Sequence, residues 1–483
     1  MDDVAIDARV SRRTLLGSAA ATTAGVPLLS ELTAAPVMAR QRQHGAIKLD
    51  ATRLIFSARE RDRRWAAIRS IMAEPQWDLD AILTSPIVTA TGPAFSAGFD
   101  RYLTQVGGLV EDDEAFGPVV FPRDRSTPVE LMVEDDGSID FWLARGLDEW
   151  TADGALVVSA GEAVSAVVER LSSMGARRVG FADLEGTRFL PLGLVLVKFL
   201  EGLTAALPEV EFLPIERWQV DPPDPGPLAG PAMVKGVEEQ EVIRACVRAG
   251  ENAIEELVKG ARRGAKSQAD LFYAAYFSMF EETGEPPLRL SMGLDIPGNA
   301  AFAAPSADRL REGQIISEEI SARVQGYGAQ VNHSIFVGGK RTPGYRYYET
   351  AATVAIRGIE DAIDFINRNP GATTGDLVTD YADNAEARGA ERPSGVVIHT
   401  DGLGTLVRPR LGPDDAGTGE DDNIELVPGM AFDFKPNIQM RRDVIEDVRA
   451  ENRRVQVGEN ILITQNGATR LGTRKLVPLR TRG

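Results

Sequence analysis

The run Asp221-Pro222-Pro223-Asp224-Pro225-Gly226-Pro227-Leu228-Ala229-Gly230 interrupts this 483-residue chain. Proline has no backbone N–H and a fixed φ, so such a run is read as neither helix nor central strand. A domain boundary is placed there, with 40–230 on one side and 231–483 on the other. The two sides are patterned differently. Before the break, a helical pattern from Leu54 to Ile71 precedes strand-like Leu79 to Ser85, Val119 to Phe121 and Val129 to Val133. A helical period over Ala163 to Met174 then leads to strand-like Arg178 to Phe181. This alternation predicts an α/β domain. After the break, Val242, Cys246, Ala249, Ala253 and Leu257 recur on one face of a long helix, and a second helix is expected over Gln268 to Glu282. The stretches Ile315 to Val337, Ala431 to Met440 and Val455 to Thr464 read as strands. Many strands with few crossover helices predict an α+β domain.

Charge and residue counts narrow the function. A net charge of -18 repels phosphate backbones, so no nucleic-acid partner is expected. The single cysteine, Cys246, excludes an internal disulfide and a cysteine-based metal site. Only His44, His333 and His399 are available for imidazole chemistry.

Residues 1–39 carry an address rather than part of the fold. Ser11-Arg12-Arg13 is followed by an apolar, alanine-rich stretch to about Leu29, and then by Val37-Met38-Ala39. The order of basic, apolar and small-residue segments resembles a bacterial twin-arginine export signal. The apolar stretch is shorter than a membrane span of about 20 residues. The expected location is periplasmic or secreted, with no membrane contact once the signal is removed.

Several landmarks carry a more specific resemblance. They are Met233 to Arg244, Gly298-Asn299-Ala300-Ala301, Arg311 to Ile316, Gly402 to Leu406 and Val427 to Phe432. In that order they resemble the creatinase, prolidase and aminopeptidase P superfamily. The resemblance covers about residues 50–483. It implies an α/β creatinase-like N-terminal domain followed by an α+β pita-bread catalytic-type domain. It also implies a small-molecule or short-peptide substrate, cleavage of a C–N bond, and a homodimer of the kind common in the family.

The resemblance further implies a site in which two Asp, one His and two Glu hold a pair of divalent ions. Here Glu319 stands at the first Asp and Gln330 at the second. Asp401 stands at the His, Lys435 at the first Glu and Glu459 at the second. The family's proton-handling His falls near Ala303 or Ala304, and a second His falls at Arg408. Three carboxylates, one amide and one ammonium leave a net charge near minus two, too little for two divalent ions. An ammonium has no lone pair to donate to a metal. A two-metal centre is therefore not expected, and Lys435 is expected to replace a metal by pairing with Glu319, Glu459 or both. A single divalent ion on His399, Asp401, Glu319 and Glu459 is the alternative. His399 lies two residues before Asp401, so both share a strand face, and a histidine beside a carboxylate titrates near neutrality. Catalytic roles are thus assigned to Glu319, Asp401, Lys435, Glu459 and His399, and substrate-binding roles to Gln330 and Arg408. His333 is expected to be structural. The leading expectation is an exported hydrolase-fold protein acting on a peptide or small amide; the alternative is an inactive relative that binds a small zwitterion.

Overall fold

A computed structural model describes residues 56–84, 116–133, 155–157, 162–182, 184, 195–215, 226–263, 267–295, 305–324, 326–403, 409–414, 416–417, 421–445 and 454–482. The expected export signal, His44, Asp221 to Pro225, the segment containing Ala303 and Ala304, and Arg408 lie outside these residues.

Helix α1 (Ala58–Met72) begins where Ser57 caps it by accepting from the Glu60 amide. It packs Trp65, Ile68 and Met72 into the core. Beside it, strands β1 (Ala81–Leu83), β2 (Phe116–Pro122), β3 (Glu130–Val133), β4 (Ala155–Val157), β5 (Arg178–Phe181) and β6 (Glu211–Pro214) form one sheet. Their spatial order is β4-β3-β2-β1-β5-β6. The β1–β5 and β5–β6 pairs are parallel, and β1–β2 is antiparallel. Helices α2 (Ala163–Ser173) and α3 (Val197–Ala206) cover one face through Val167, Leu171, Phe199 and Leu203.

The proline-rich break does contain helix, contrary to the sequence expectation. Helix α4 (Ala229–Met233) starts inside it. Pro231 occupies the first turn, where the missing N–H breaks no intrahelical bond. Helix α5 (Val237–Arg263) follows, and helix α6 (Gln268–Thr283) is closed by a reciprocal Ser267–Asp270 capping box.

The second sheet has 12 strands among the described residues. They are β7 (Arg289–Leu294), β8 (Ile315–Val324), β9 (Tyr327–His333), β10 (Ile335–Phe336), β11 (Ile398–Thr400), β12 (Gly402–Leu403), β13 (Arg410–Leu411), β14 (Ala431–Phe434), β15 (Asn437–Ile438), β16 (Val455–Thr464), β17 (Gly467–Arg470) and β18 (Leu479–Arg480). The central path runs β13-β11-β14-β16-β9-β8-β10-β18. The expected single run Ile315 to Val337 is three strands, with Gly326 at φ 82° between β8 and β9. Pro436 lies between β14 and β15, within the expected run Ala431 to Met440.

Two long helices cover this sheet, where few helices were expected: α7 (Tyr345–Arg368) and α8 (Thr374–Ala387). The apolar face of α7 is wide enough to fill the sheet's back, with Tyr348, Ala351, Ala355 and Ile359 fully buried. On the other side, α5 packs so closely on β9 that a Cβ at Gly250 would meet Val331 at 2.5 Å. Cys246 is buried on that same helix, with its Sγ 3.4 Å from the Tyr327 carbonyl oxygen. No described helix is long and apolar enough to cross a membrane.

Candidate functional site

Alternation along β14 builds the floor of the site. Phe432 and Phe434 are buried, and the Phe434 ring meets Tyr381 of α8 edge-on at 5.4 Å. Asp433 and Lys435 therefore project from the opposite face. Register then aligns His399, Asp433 and Asn460 as one row across β11, β14 and β16. All three are buried, as are Glu319, Gln330, Asp401, Lys435 and Glu459. The structure thus brings together the six described residues expected to form the site. Only Arg408 is outside the described residues.

A chain of amides fixes the proton on His399. Asn332 Nδ2 donates to the Glu318 carbonyl at 2.7 Å, so Asn332 Oδ1 faces Gln330 and accepts from its Nε2 at 3.1 Å. Gln330 Oε1 then faces His399 Nε2 at 3.0 Å. An amide oxygen only accepts, so His399 carries its proton on Nε2 and donates it to Gln330. Burial holds the His399 pKa well below the usual imidazole range, and the positive charges of Lys435 and Arg410 push it the same way. The expectation that His399 titrates near neutrality is corrected: it stays a neutral positioning group.

Lys435 Nζ lies 3.4 Å from Glu319 Oε1, and Arg289 Nη2 lies 2.8 Å from Glu319 Oε2. Burial alone would raise the Glu319 pKa, but these two cations outweigh it and hold the carboxyl below its ordinary value. Of the two partners proposed for Lys435, the structure pairs it with Glu319. Glu459 belongs to a different pair of cations: Arg470 Nη2 at 2.9 Å and Arg474 Nη1 at 3.2 Å. Arg474 also donates to the Asn332 and Gly458 carbonyls, which ties β9 to β16. Asp401 accepts from the Gln330 amide at 3.2 Å. Its pKa is pushed up to about 8, chiefly by burial and further by the Glu459 charge, against the Gln330 hydrogen bond and Lys235. Burial also carries Asp433 well above the carboxylate range, although Lys435 opposes it.

Lys235 is a buried neighbour that sequence reasoning did not assign. It donates to the Ala232 carbonyl, and burial lowers its pKa to about 8 against Glu239 and Asp401. Gly402, at φ 123°, lets it in: a Cβ there would be 2.9 Å from Lys235 Nζ. Asp433, Asn460, Arg289, Arg470 and Arg474 were also missed. Asp433 left a trace in the sequence, as an acid between two phenylalanines in a strand pattern. The arginines left none, since they reach the carboxylates from separate segments. His333 is buried, with Nε2 3.0 Å from the Val477 carbonyl and its pKa pushed down to about 3 by burial, which makes it a neutral structural group.

These residues do not fit a pair of divalent ions. One position holds a buried ammonium and another a neutral amide, while Glu319 and Glu459 are already bound to cations. The alternative single-ion set is not assembled either. Among the described residues, no three His, Cys, Asp or Glu side chains are grouped so as to hold a metal ion.

Residues 241–465 match the sequence profile of metallopeptidase family M24. Among solved structures, the chain resembles the dipeptidase PepE from Mycobacterium ulcerans at a TM-score of 0.65 and 17% identity, over 88% of this chain and 99% of that one. The fold is the pita-bread fold. The Xaa-Pro dipeptidase from Bacillus anthracis gives 0.64 and 16%, over 87% of this chain and 99% of the other. The X-Pro aminopeptidase from Thermotoga maritima MSB8 gives 0.62 and 14%, over 86% and 99%. No curated protein matches the chain.

Proposed function

We propose that this protein uses an M24-type cleft as a metal-independent binding site for a small zwitterion or short peptide, in the periplasm or outside the cell. The observation that carries the reading is the buried Lys435, 3.4 Å from Glu319, at the position where the family resemblance implies a metal-binding carboxylate. Glu319 and Glu459 are held by cations, and His399 is a poor base because its pKa lies well below the imidazole range. With Glu319, Glu459 and His399 committed in this way, binding is favoured over turnover. Export rests on Ser11-Arg12-Arg13 and the apolar segment after it.

A second reading is hydrolysis of a C–N bond in a peptide or small amide without metal, as a departure from the peptidase activities named for the structural relatives. Asp401 favours it, since a carboxyl near 8 is protonated at neutral pH and is able to donate a proton to a leaving amine. A screen of proline dipeptides and guanidino compounds, run with and without chelator, decides between them. Saturable binding with no turnover, unchanged by chelation, supports the first reading. Chelator-resistant turnover that Asp401→Asn abolishes supports the second. Turnover lost on chelation and restored by manganese overturns both.

A further inference from the structure

Hydrogen-bond supply and demand around β14 do not balance. Four buried oxygens have no donor: Asp401 Oδ2, Asp433 Oδ1, Asp433 Oδ2 and Asn460 Oδ1. Asp433 and Asn460 are fully buried, and Asp401 is 3% exposed. Lys435 and Arg289 serve Glu319, while Arg470 and Arg474 serve Glu459. Asn460 Nδ2 is spent on the Gln330 carbonyl at 2.5 Å. His399 Nε2 approaches Asp433 Oδ2 to 3.3 Å, but its proton is committed to Gln330. Asn460 is a second, neutral indicator of the same deficit. It sits directly opposite Asp433 in the β14–β16 register, where facing side chains lie within about 5 Å. Buried acceptors left without donors cost stability, and a folded protein rarely leaves several together.

We propose that Asp433, Asn460 and Asp401 form a subsite for the cationic end of a ligand, a primary ammonium or guanidinium group whose N–H donors complete these oxygens. Such a cation carries three to five donors, and its charge favours the ionised form of carboxyls that burial otherwise holds protonated. A metal ion is the poorer match, because no three metal-type donors are grouped among the described residues. The subsite rests on the binding reading above and names the half of the zwitterion that this wall recognises. Lys435, which spends one hydrogen bond on Glu319 and lies two residues beyond Asp433, suits the anionic half.

The test uses calorimetric titration of the intact mature protein with methylguanidinium, methylammonium and acetate, together with thermal melts. Wild type is expected to bind at least one of the two cations saturably. Asp433→Asn, which keeps the shape but cannot ionise when the cation binds, is expected to weaken that binding at least tenfold and to leave acetate binding unchanged. Because it removes a buried carboxyl that has no donor, the same substitution is expected to keep or raise the melting temperature. Asn460→Asp adds charge and is expected to strengthen cation binding. The proposal is overturned if neither cation binds, if Asp433→Asn binds as wild type does, or if Asp433→Asn lowers the melting temperature, which would mark Asp433 as a structural acceptor satisfied by ordered water. Acetate binding without cation binding removes the subsite but leaves the zwitterion cleft standing. Loss of all three ligands counts against the broader reading.

Discussion

Two buried polar centres flank Lys235, and they are built on opposite plans. At the junction of α1 and α5, Glu60 and Glu239 face Arg63 and Arg64. Glu239 accepts from Arg63 at 2.5 Å, from the Gly236 amide at 2.7 Å and from the Tyr327 hydroxyl at 2.6 Å. Both Glu60 oxygens are likewise engaged by the two arginines. Burial would raise the Glu239 pKa, but Arg64, Lys235 and Arg63 hold it below its ordinary value. In the cleft, Asp433 is just as deeply buried, has no donor for either oxygen and is shifted upward. Burial alone therefore does not separate a structural carboxylate from a functional one. The supply of donors to the carboxylate does: at the junction Glu60 and Glu239 are fully served and hold two segments together, whereas Asp433 is not served and is the group we assign to a ligand.

The contrast can be broken most sharply at the saturated centre. Arg64 is fully buried between Glu60 and the Phe56 and Tyr327 rings. Arg64→Ala is expected to destabilise by about 3–5 kcal/mol, because it strands buried carboxylates. A fall in the urea midpoint at unchanged slope checks it. A loss under about 1 kcal/mol would mean that the junction is not structural.

Lys435→Met is expected to cost less, about 1–3 kcal/mol, since Arg289 still holds Glu319 at 2.8 Å. Equilibrium unfolding measures it. A stabilised variant would instead assign Lys435 to the open centre.

The pH dependence sharpens the comparison further. Asp401 and Glu318, both pushed up to about 8, keep protons in the folded state that the unfolded chain releases near pH 4. Stability from these groups is fully present below about pH 4 and is lost as pH rises toward about 8. Lys235, pulled down to about 8, works in the opposite direction above that pH. Unfolding at about pH 5 and about pH 8 is expected to show a decline that Asp401→Asn flattens. An unchanged slope in that variant would remove Asp401 from the open centre. The smallest effect belongs to Lys259→Ala. This lysine is half-exposed on α5 beside Glu255 and Glu256, and its loss is expected to leave the unfolding midpoint unchanged.

How much of this was legible in the sequence follows from distance along the chain. The interval between Glu319 and Gln330 spans one hairpin, and the family resemblance, which preserves that interval, placed both residues in one site. The face shared by Asp433 and Lys435 was also legible, because strand alternation is local. The row His399–Asp433–Asn460 was not. It depends on the register of three strands that are separated by more than twenty residues from one to the next. The arginine partners were hidden for the same reason, which is why Lys435 was offered both Glu319 and Glu459. Helices α7 and α8 were not assigned, although the buried face of α7 recurs at helical spacing in Tyr348, Ala351, Ala355 and Ile359. The short helix within the proline-rich break shows the other limit: proline forbids a helix interior but not its first turn.

The claim that everything else depends on is that the Lys435–Glu319 pair stands in place of metal ions. Metal stoichiometry of the intact, unchelated protein, measured by mass spectrometry after dialysis against manganese, tests it most directly. The expected result is no stoichiometric metal and a folded protein whose melting temperature is unmoved by chelator. About one or two ions per chain, with a melting temperature that falls on chelation, would contradict it.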